Sequence, residues 1–230
     1  MSVRKYWILD CDGVILNSNS LKTQAMYNAA LQFGRENAEK LIAYHQLHGG
    51  VGRELKFNHF FSTILNRTAY EDDYLLLLKC YAENIEKALE SCEVAPGLAP
   101  LVDYLNTQNT ELVVVSGAEQ KELRHLLKLH NIDHHFLEVL GSPKSKTDHI
   151  TALIEKHGLP PAAFVGDSRY DYETANRFGI PFYFMHGWTD FAEWRTFFST
   201  IKDVTVLEDL TCLYDYLNTA PPPVAGHNKV

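Results

Sequence analysis

The chain has 230 residues, 46% hydrophobic and 22% charged, which is enough to bury a sizeable core and has the balance of an ordinary soluble enzyme. Its formal net charge of −8, with no strongly basic block, argues against nucleic acid as a main partner. No apolar run reaches the roughly 18 residues of a membrane span, and the one after Met1–Lys5 is far too short for a signal peptide.

Tyr6-Trp7-Ile8-Leu9 reads as a buried strand. Asp10 and Asp12 stand at its end, one residue apart, and Gly13 permits a sharp turn. Residues i and i+2 of an extended backbone point the same way, so the two carboxylates repel unless a cation intervenes. An oxygen-only site of this kind suits Mg²⁺. Asn17–Ser20 follows as a turn rich in N-cap residues.

Helical spacing covers Leu21–Phe33, Glu36–His48, Glu54–Asn66 and Tyr70–Cys92, interrupted by Gly49-Gly50-Val51-Gly52-Arg53. Residues 17–92 therefore read as an all-helical insertion. From Val94 the pattern alternates. Strands are expected at Glu111–Val115, Phe136–Leu140, Ala162–Val165, Pro181–Met185 and Val204–Leu207, with helices at Leu98–Gln108, Glu119–Leu129, Thr147–His157 and Tyr172–Phe178. Alternation of this kind implies an α/β fold with a mainly parallel sheet. Ligands gather at the carboxyl ends of such strands, where Asp10, Ser116 and Asp167 fall. Phe191, Trp194, Phe197 and Phe198 have helical spacing and read as core. The tail from Pro221 to Val230 reads as extended or disordered.

Cys11, Cys80, Cys92 and Cys212 show no CxxC spacing and no disulfide framework, which points to a reducing cytoplasm. Cys11, between two carboxylates, reads as a small strand-end side chain rather than a nucleophile. His45 and His48 lie three apart on one helical face, and without a third ligand they read as ordinary polar residues.

Four motifs together resemble the haloacid dehalogenase-like hydrolases, in the phosphatase branch with a helical cap inserted after the first motif. They are Asp10-Cys11-Asp12-Gly13-Val14, Ser116 at the end of Leu112–Val115, a lysine in Gly141-Ser142-Pro143-Lys144-Ser145-Lys146, and Gly166-Asp167-Ser168-Arg169-Tyr170-Asp171. The resemblance implies a Rossmann-like core formed by residues 1–16 and 93–230, with residues 17–92 as the cap. It implies Asp10 as nucleophile forming an aspartyl-phosphate, Asp12 as general acid and base, and Mg²⁺ held by Asp10, the Asp12 carbonyl, Asp167 and Asp171. Ser116 and the Gly117 amide would hold phosphate oxygens.

The motif lysine is open between Lys144 and Lys146, since the prolines of the family's KPxP form are absent. Lys146, closer to the helix start, is favoured as the catalytic one, and Lys144 stays a candidate for binding substrate. Arg53, in the glycine-rich cap loop, is a candidate for a substrate carboxylate or phosphate, with Lys56 one turn on in support. The implied substrate is a small phosphorylated metabolite of the phosphoglycolate or sugar phosphate type. A phosphomutase shares every core motif, and a catalytically silent binding protein on the same fold is the alternative from another class. Asp12 argues against a dehalogenase, and Lys22 gives no clear support to a phosphonatase.

Overall fold

The computed structural model describes residues 5–219, and the expectation for the tail lies outside them. Six strands form one parallel sheet: β1 (Lys5–Leu9), β2 (Thr110–Glu119), β3 (Glu138–Ser142), β4 (Ala163–Gly166), β5 (Phe182–Met185) and β6 (Val204–Leu207). Their order is β3-β2-β1-β4-β5-β6. In β1 only Lys5 is exposed. Tyr6, Trp7, Ile8 and Leu9 are buried, as a strand covered on both faces requires. Sequence order reverses between β1 and β4, the switch point where a crevice opens at the carboxyl ends of a doubly wound sheet.

Between β1 and β2 the chain forms α1 (Asn19–Ala30), α2 (Arg35–Leu47), α3 (Arg53–His59) and α4 (Glu71–Glu90). A single turn of wider π-helix, Phe60–Ile64, continues α3, so the helix expected over Glu54–Asn66 changes hydrogen-bond register at the aromatic pair Phe60 and Phe61. Both rings are fully buried and each meets Phe33 edge to face. The chain leaves the sheet and returns along paired segments. Asn17 N–H donates to the Glu93 carbonyl and Ala95 N–H to the Ile15 carbonyl, both at 2.9 Å.

After β2 the helices are α6 (Gln120–Leu129), α7 (Lys146–His157), α8 (Arg169–Arg177) and α9 (Trp194–Phe198), with α5 (Leu98–Thr107) preceding β2. A last helix, α10 (Leu210–Thr219), was not expected from sequence; Leu210 and Leu213 are fully buried, and Tyr104 on α5 donates to the Leu217 carbonyl. Strand β3 lies two residues later than expected: a 3₁₀ turn at Asp133–His135 precedes it, and the Phe136 N–H closes that turn on the Asp133 carbonyl at 3.2 Å. Phe191 and Phe198 are buried against the sheet face with Phe184, in keeping with the core reading of that aromatic cluster.

Candidate active site

Asp10 is the residue after β1. Its N–H donates to the Val165 carbonyl of β4 at 2.9 Å, which fixes it between the two central strands. Its Oδ1 accepts from the Cys11 N–H at 2.7 Å. The Cys11 carbonyl then accepts from Ile15 and Leu16, at 2.8 and 2.9 Å, so the strand ends in a tight turn. Gly13 sits in that turn at φ 75°, and a Cβ there would collide with the Asp167 carboxylate and Asn19. Both backbone and packing demand glycine.

Asp167 follows β4. Asn19 Nδ2 holds its Oδ2 at 2.7 Å and also donates to the Trp188 carbonyl at 2.9 Å. Asp171 lies in the first turn of α8 and completes a capping box with Ser168, whose hydroxyl donates to its Oδ2 at 2.6 Å. The other oxygen, Oδ1, lies 2.5 Å from Lys146 Nζ. Lys146 opens α7 behind its own capping box, Ser145 with Asp148. It lies 2.8 Å from Asp10 Oδ2, so one fully buried ammonium bridges two buried carboxylates. Lys144 is exposed on the preceding turn, two residues before α7 begins. Of the two lysines, Lys146 is the one in contact with Asp10 and Asp171.

Oxygens of Asp10, Asp167 and Asp171 lie within 4.8 Å of one another, all three side chains buried. Burial pushes Asp10 up to about 7, with Asp171 and Asp12 adding to the rise and Lys146 opposing it. Asp167 is raised for the same reasons: burial first, then Asp10 and Asp171. Three carboxylates sharing one lysine leave negative charge unmatched, and an all-oxygen donor set fits a hard divalent cation such as Mg²⁺. The fit rests on side chains alone.

Asp12 stands apart from this cluster. Its Oδ1 lies 2.6 Å from Lys22 Nζ, and the Ser18 hydroxyl donates to the same oxygen at 2.6 Å. Burial alone would raise its pKa. The Lys22 ammonium and the Ser18 hydroxyl outweigh that and hold Asp12 below its ordinary value. Ser18, read from sequence as a helix cap, makes no side-chain cap bond at α1 and spends its hydroxyl on Asp12. Cys11 is buried and its thiol is pushed up by burial, with Asp12 adding to the rise, as befits an inert side chain.

Ser116 is buried near the end of β2, one strand from Asp10, and its Oγ accepts from the Ala118 N–H at 3.1 Å. Gly117 and Ala118 line the cleft. The glycine-rich loop of residues 49–52 closes directly on them: a Cβ on Gly117 would run into the Gly50 carbonyl. Arg53, at the start of α3, lines the cleft as expected, yet its guanidinium is taken. Nη2 lies 2.5 Å from Glu122 Oε2 on α6, and the group also sits over the Tyr81 ring. Among the described residues Glu122 Oε1 is buried without a hydrogen-bond partner. His45, read from sequence as an ordinary polar residue, lies instead inside the cleft, bonded to Lys56 Nζ at 2.8 Å.

Sequence reasoning passed over Asn19, Ser18, Glu122 and Asp190 as members of the site, and weighed Lys22 only as a phosphonatase lysine. Ser18 and Lys22 carried one usable signal, a four-residue spacing that places them on one helix face just after the Asp10–Asp12 pair. Glu122 and Asp190 carried none, because their partners Arg53 and Thr23 lie 69 and 167 residues away.

A model of the haloacid dehalogenase-like hydrolases matches residues 7–185. The chain belongs to that family. It is 26% identical over 184 residues to a phosphoglycolate phosphatase of Pseudomonas putida, a match over 75% of this chain and 66% of that relative. Among solved structures, a predicted phosphoglycolate phosphatase of Haemophilus somnus 129pt superposes with a TM-score of 0.73 at 21% identity, over 94% of this chain and 99% of that one. A candidate β-phosphoglucomutase of Bacteroides vulgatus gives 0.74 at 16% identity, over 94% and 88%. At those identities the two structures speak to the fold alone.

Proposed function

We propose that this hydrolase is a Mg²⁺-dependent phosphatase acting on a small phosphorylated metabolite, of the phosphoglycolate or sugar phosphate type, through an aspartyl-phosphate on Asp10. The observation that carries the reading is the buried set Asp10, Asp167 and Asp171 around Lys146, with Asp12 beside it in a separate environment. Residues 17–92 serve as the cap and the remainder as the catalytic core, in a cytoplasmic protein. Among the described residues no helix is long and apolar enough to cross a membrane.

Asp10, Asp167 and Asp171 would hold Mg²⁺ together with the Asp12 carbonyl, and when bound the ion offsets the repulsion between carboxylate and phosphoryl oxygens. Asp10 attacks phosphorus and the ester oxygen departs, taking a proton from Asp12. Asp12 then removes a proton from a water that hydrolyses the aspartyl-phosphate, releasing inorganic phosphate and restoring Asp10. Lys22 keeps Asp12 in the form needed for that second step. A phosphoryl dianion in the cleft competes for the Lys22 ammonium, which raises Asp12 and lets it carry the proton required in the first step. Ser116 and the Gly117 amide hold the phosphoryl oxygens, and Lys146 offsets the charge transferred.

The cleft leaves a cavity of about 70 Å³, room for a handful of water molecules, which suits a small ester enclosed before reaction. A mutase of the β-phosphoglucomutase type shares these core residues and is the second reading. Phosphate release from a panel of small esters, with and without Mg²⁺ and with Asp10→Asn as control, tests the proposal. Metal-dependent release abolished in the control is the expected result. Sugar-phosphate isomerisation without net release moves the assignment to a mutase, and inertness toward every ester refutes the enzyme reading.

A further inference from the structure

Four cationic side chains line the cleft: Lys22, Arg53, Lys56 and Arg169. Three have a carboxylate in contact. Lys22 meets Asp12 at 2.6 Å, Arg53 meets Glu122 at 2.5 Å and Arg169 meets Glu173 at 2.7 Å. Lys56 differs. It is 3% exposed, and among the described residues no carboxylate lies within 4.0 Å of its ammonium. A buried ammonium without a counter-charge is costly, and burial pulls Lys56 down to about 7, with Asp12 and Asp190 opposing the fall and Lys22 and Lys146 adding to it.

What holds Lys56 is a hydrogen-bond chain whose direction is determined by its far end. Thr23 Oγ1 donates to Asp190 Oδ2 at 2.7 Å, so its proton is spent there. The 3.1 Å contact between Thr23 Oγ1 and His45 Nε2 must then use the histidine N–H. Burial, and after it Lys56 and Lys22, keep the His45 ring neutral, so Nδ1 carries the lone pair that accepts from Lys56 at 2.8 Å. The order Lys56 to His45 to Thr23 to Asp190 runs from α3 through α2 and α1 to the loop after β5. In its ammonium form Lys56 keeps two N–H donors for a ligand.

We infer that Lys56 receives a carboxylate carried by the substrate beside its phosphoryl group, and that His45, Thr23 and Asp190 are positioning residues holding it there. The inference rests on the phosphatase reading and deepens it. Arg53, the sequence candidate for this role, is paired with Glu122, whereas Lys56 has no carboxylate in contact among the described residues, and an arriving carboxylate would favour its ammonium form.

The test compares 2-phosphoglycolate with ethyl phosphate, which has a methyl group where the other has the carboxylate. Binding is read by calorimetry in the inactive Asp10→Asn protein, and turnover in the active enzyme. The carboxylate ligand should bind roughly 10- to 100-fold more tightly, as one charge-assisted hydrogen-bond pair provides. Lys56→Met should bring that preference to near unity. Thr23→Val should reduce it severalfold, chiefly through KM, and Thr23→Ser should restore it. Lys56→Met removes a buried unmatched charge, so a folded variant is expected, and thermal denaturation checks it. Absence of preference in the parent, failure of either ligand to bind, or an unchanged preference in Lys56→Met overturns the inference. If the enzyme hydrolyses no ester, the phosphatase reading falls while the binding comparison still decides the role of Lys56.

Discussion

The Lys22 ammonium lies 2.6 Å from the Asp12 carboxylate, and both groups are largely buried in the wall of the cleft. The pair gives the second aspartate of the Asp10–Asp12 motif an environment unlike that of the first. Asp10 is raised to about 7 by burial, while Asp12 is held below its ordinary value by Lys22. Two carboxylates one residue apart are thereby prepared for different work.

Removing that ammonium should expose the difference. In Lys22→Met the burial of Asp12 acts with only Ser18 and more distant Lys146 against it, so its pKa rises. The acidic limb of the pH–rate profile should move to higher pH, with kcat reduced by about 10- to 100-fold, the size of a positioned acid–base contribution. An unshifted acidic limb would show that Lys22 does not set the protonation of Asp12.

Lys146 is the shared counter-ion of Asp10 and Asp171, at 2.8 and 2.5 Å. Truncation to methionine leaves two buried carboxylates facing each other without a cation. Loss of one partner from a buried ionic cluster typically costs about 3–5 kcal/mol. Chemical denaturation of Lys146→Met should show a loss of that order in the absence of metal, smaller when Mg²⁺ is supplied. Lys144→Met, at an exposed position, should stay within about 0.5 kcal/mol of the parent.

The carboxylate cluster predicts opposite pH trends with and without metal. Asp10 goes from an ordinary carboxylate range in the unfolded chain to about 7 in the metal-free fold, so between roughly pH 4 and pH 7 the fold binds more protons than the unfolded chain. Through this group, metal-free stability falls as pH rises across that window. Mg²⁺ requires the ionised form and competes with those protons. Its apparent affinity, measured calorimetrically, should therefore weaken steadily below about pH 7. An affinity independent of pH from 5 to 8 would contradict the assignment of this cluster as the metal site.

Gly117 and Gly50 bring the helical segment and the sheet into backbone contact over the cleft. Gly117→Ala inserts a methyl group into that contact. The loop of residues 49–52 must then sit away from β2, and KM should rise by about tenfold or more, the expected effect of a small displacement of positioning groups. Steady-state kinetics and hydrogen exchange at residues 49–52 would read the change together, and unaltered values of both would refute the closed contact.

The local signals in the sequence specified a good deal of this protein. Uninterrupted apolar runs marked the buried strands, helical spacing marked α1 to α8, and a turn or cap placed Asp10 and Asp167 directly after their strands, whereas β2 runs three residues past Ser116, to Glu119. Those signals are local because a strand buried on both faces and a helix with one apolar stripe must repeat within a few residues. Even the preference for Lys146 over Lys144 had a local basis, its closeness to the start of α7.

Charge pairing was decided only in three dimensions. Nothing near Arg53 in the chain says that Glu122 will neutralise it, and nothing near Lys56 says that it will lack a carboxylate. Thr23 and Asp190 meet only because α1 is laid against the loop after β5. Coulombic and hydrogen-bond partners depend on distance in space rather than along the chain. The sequence therefore named the chemistry at the strand ends, while the packing of helices over the sheet determined which cation was left to meet a ligand.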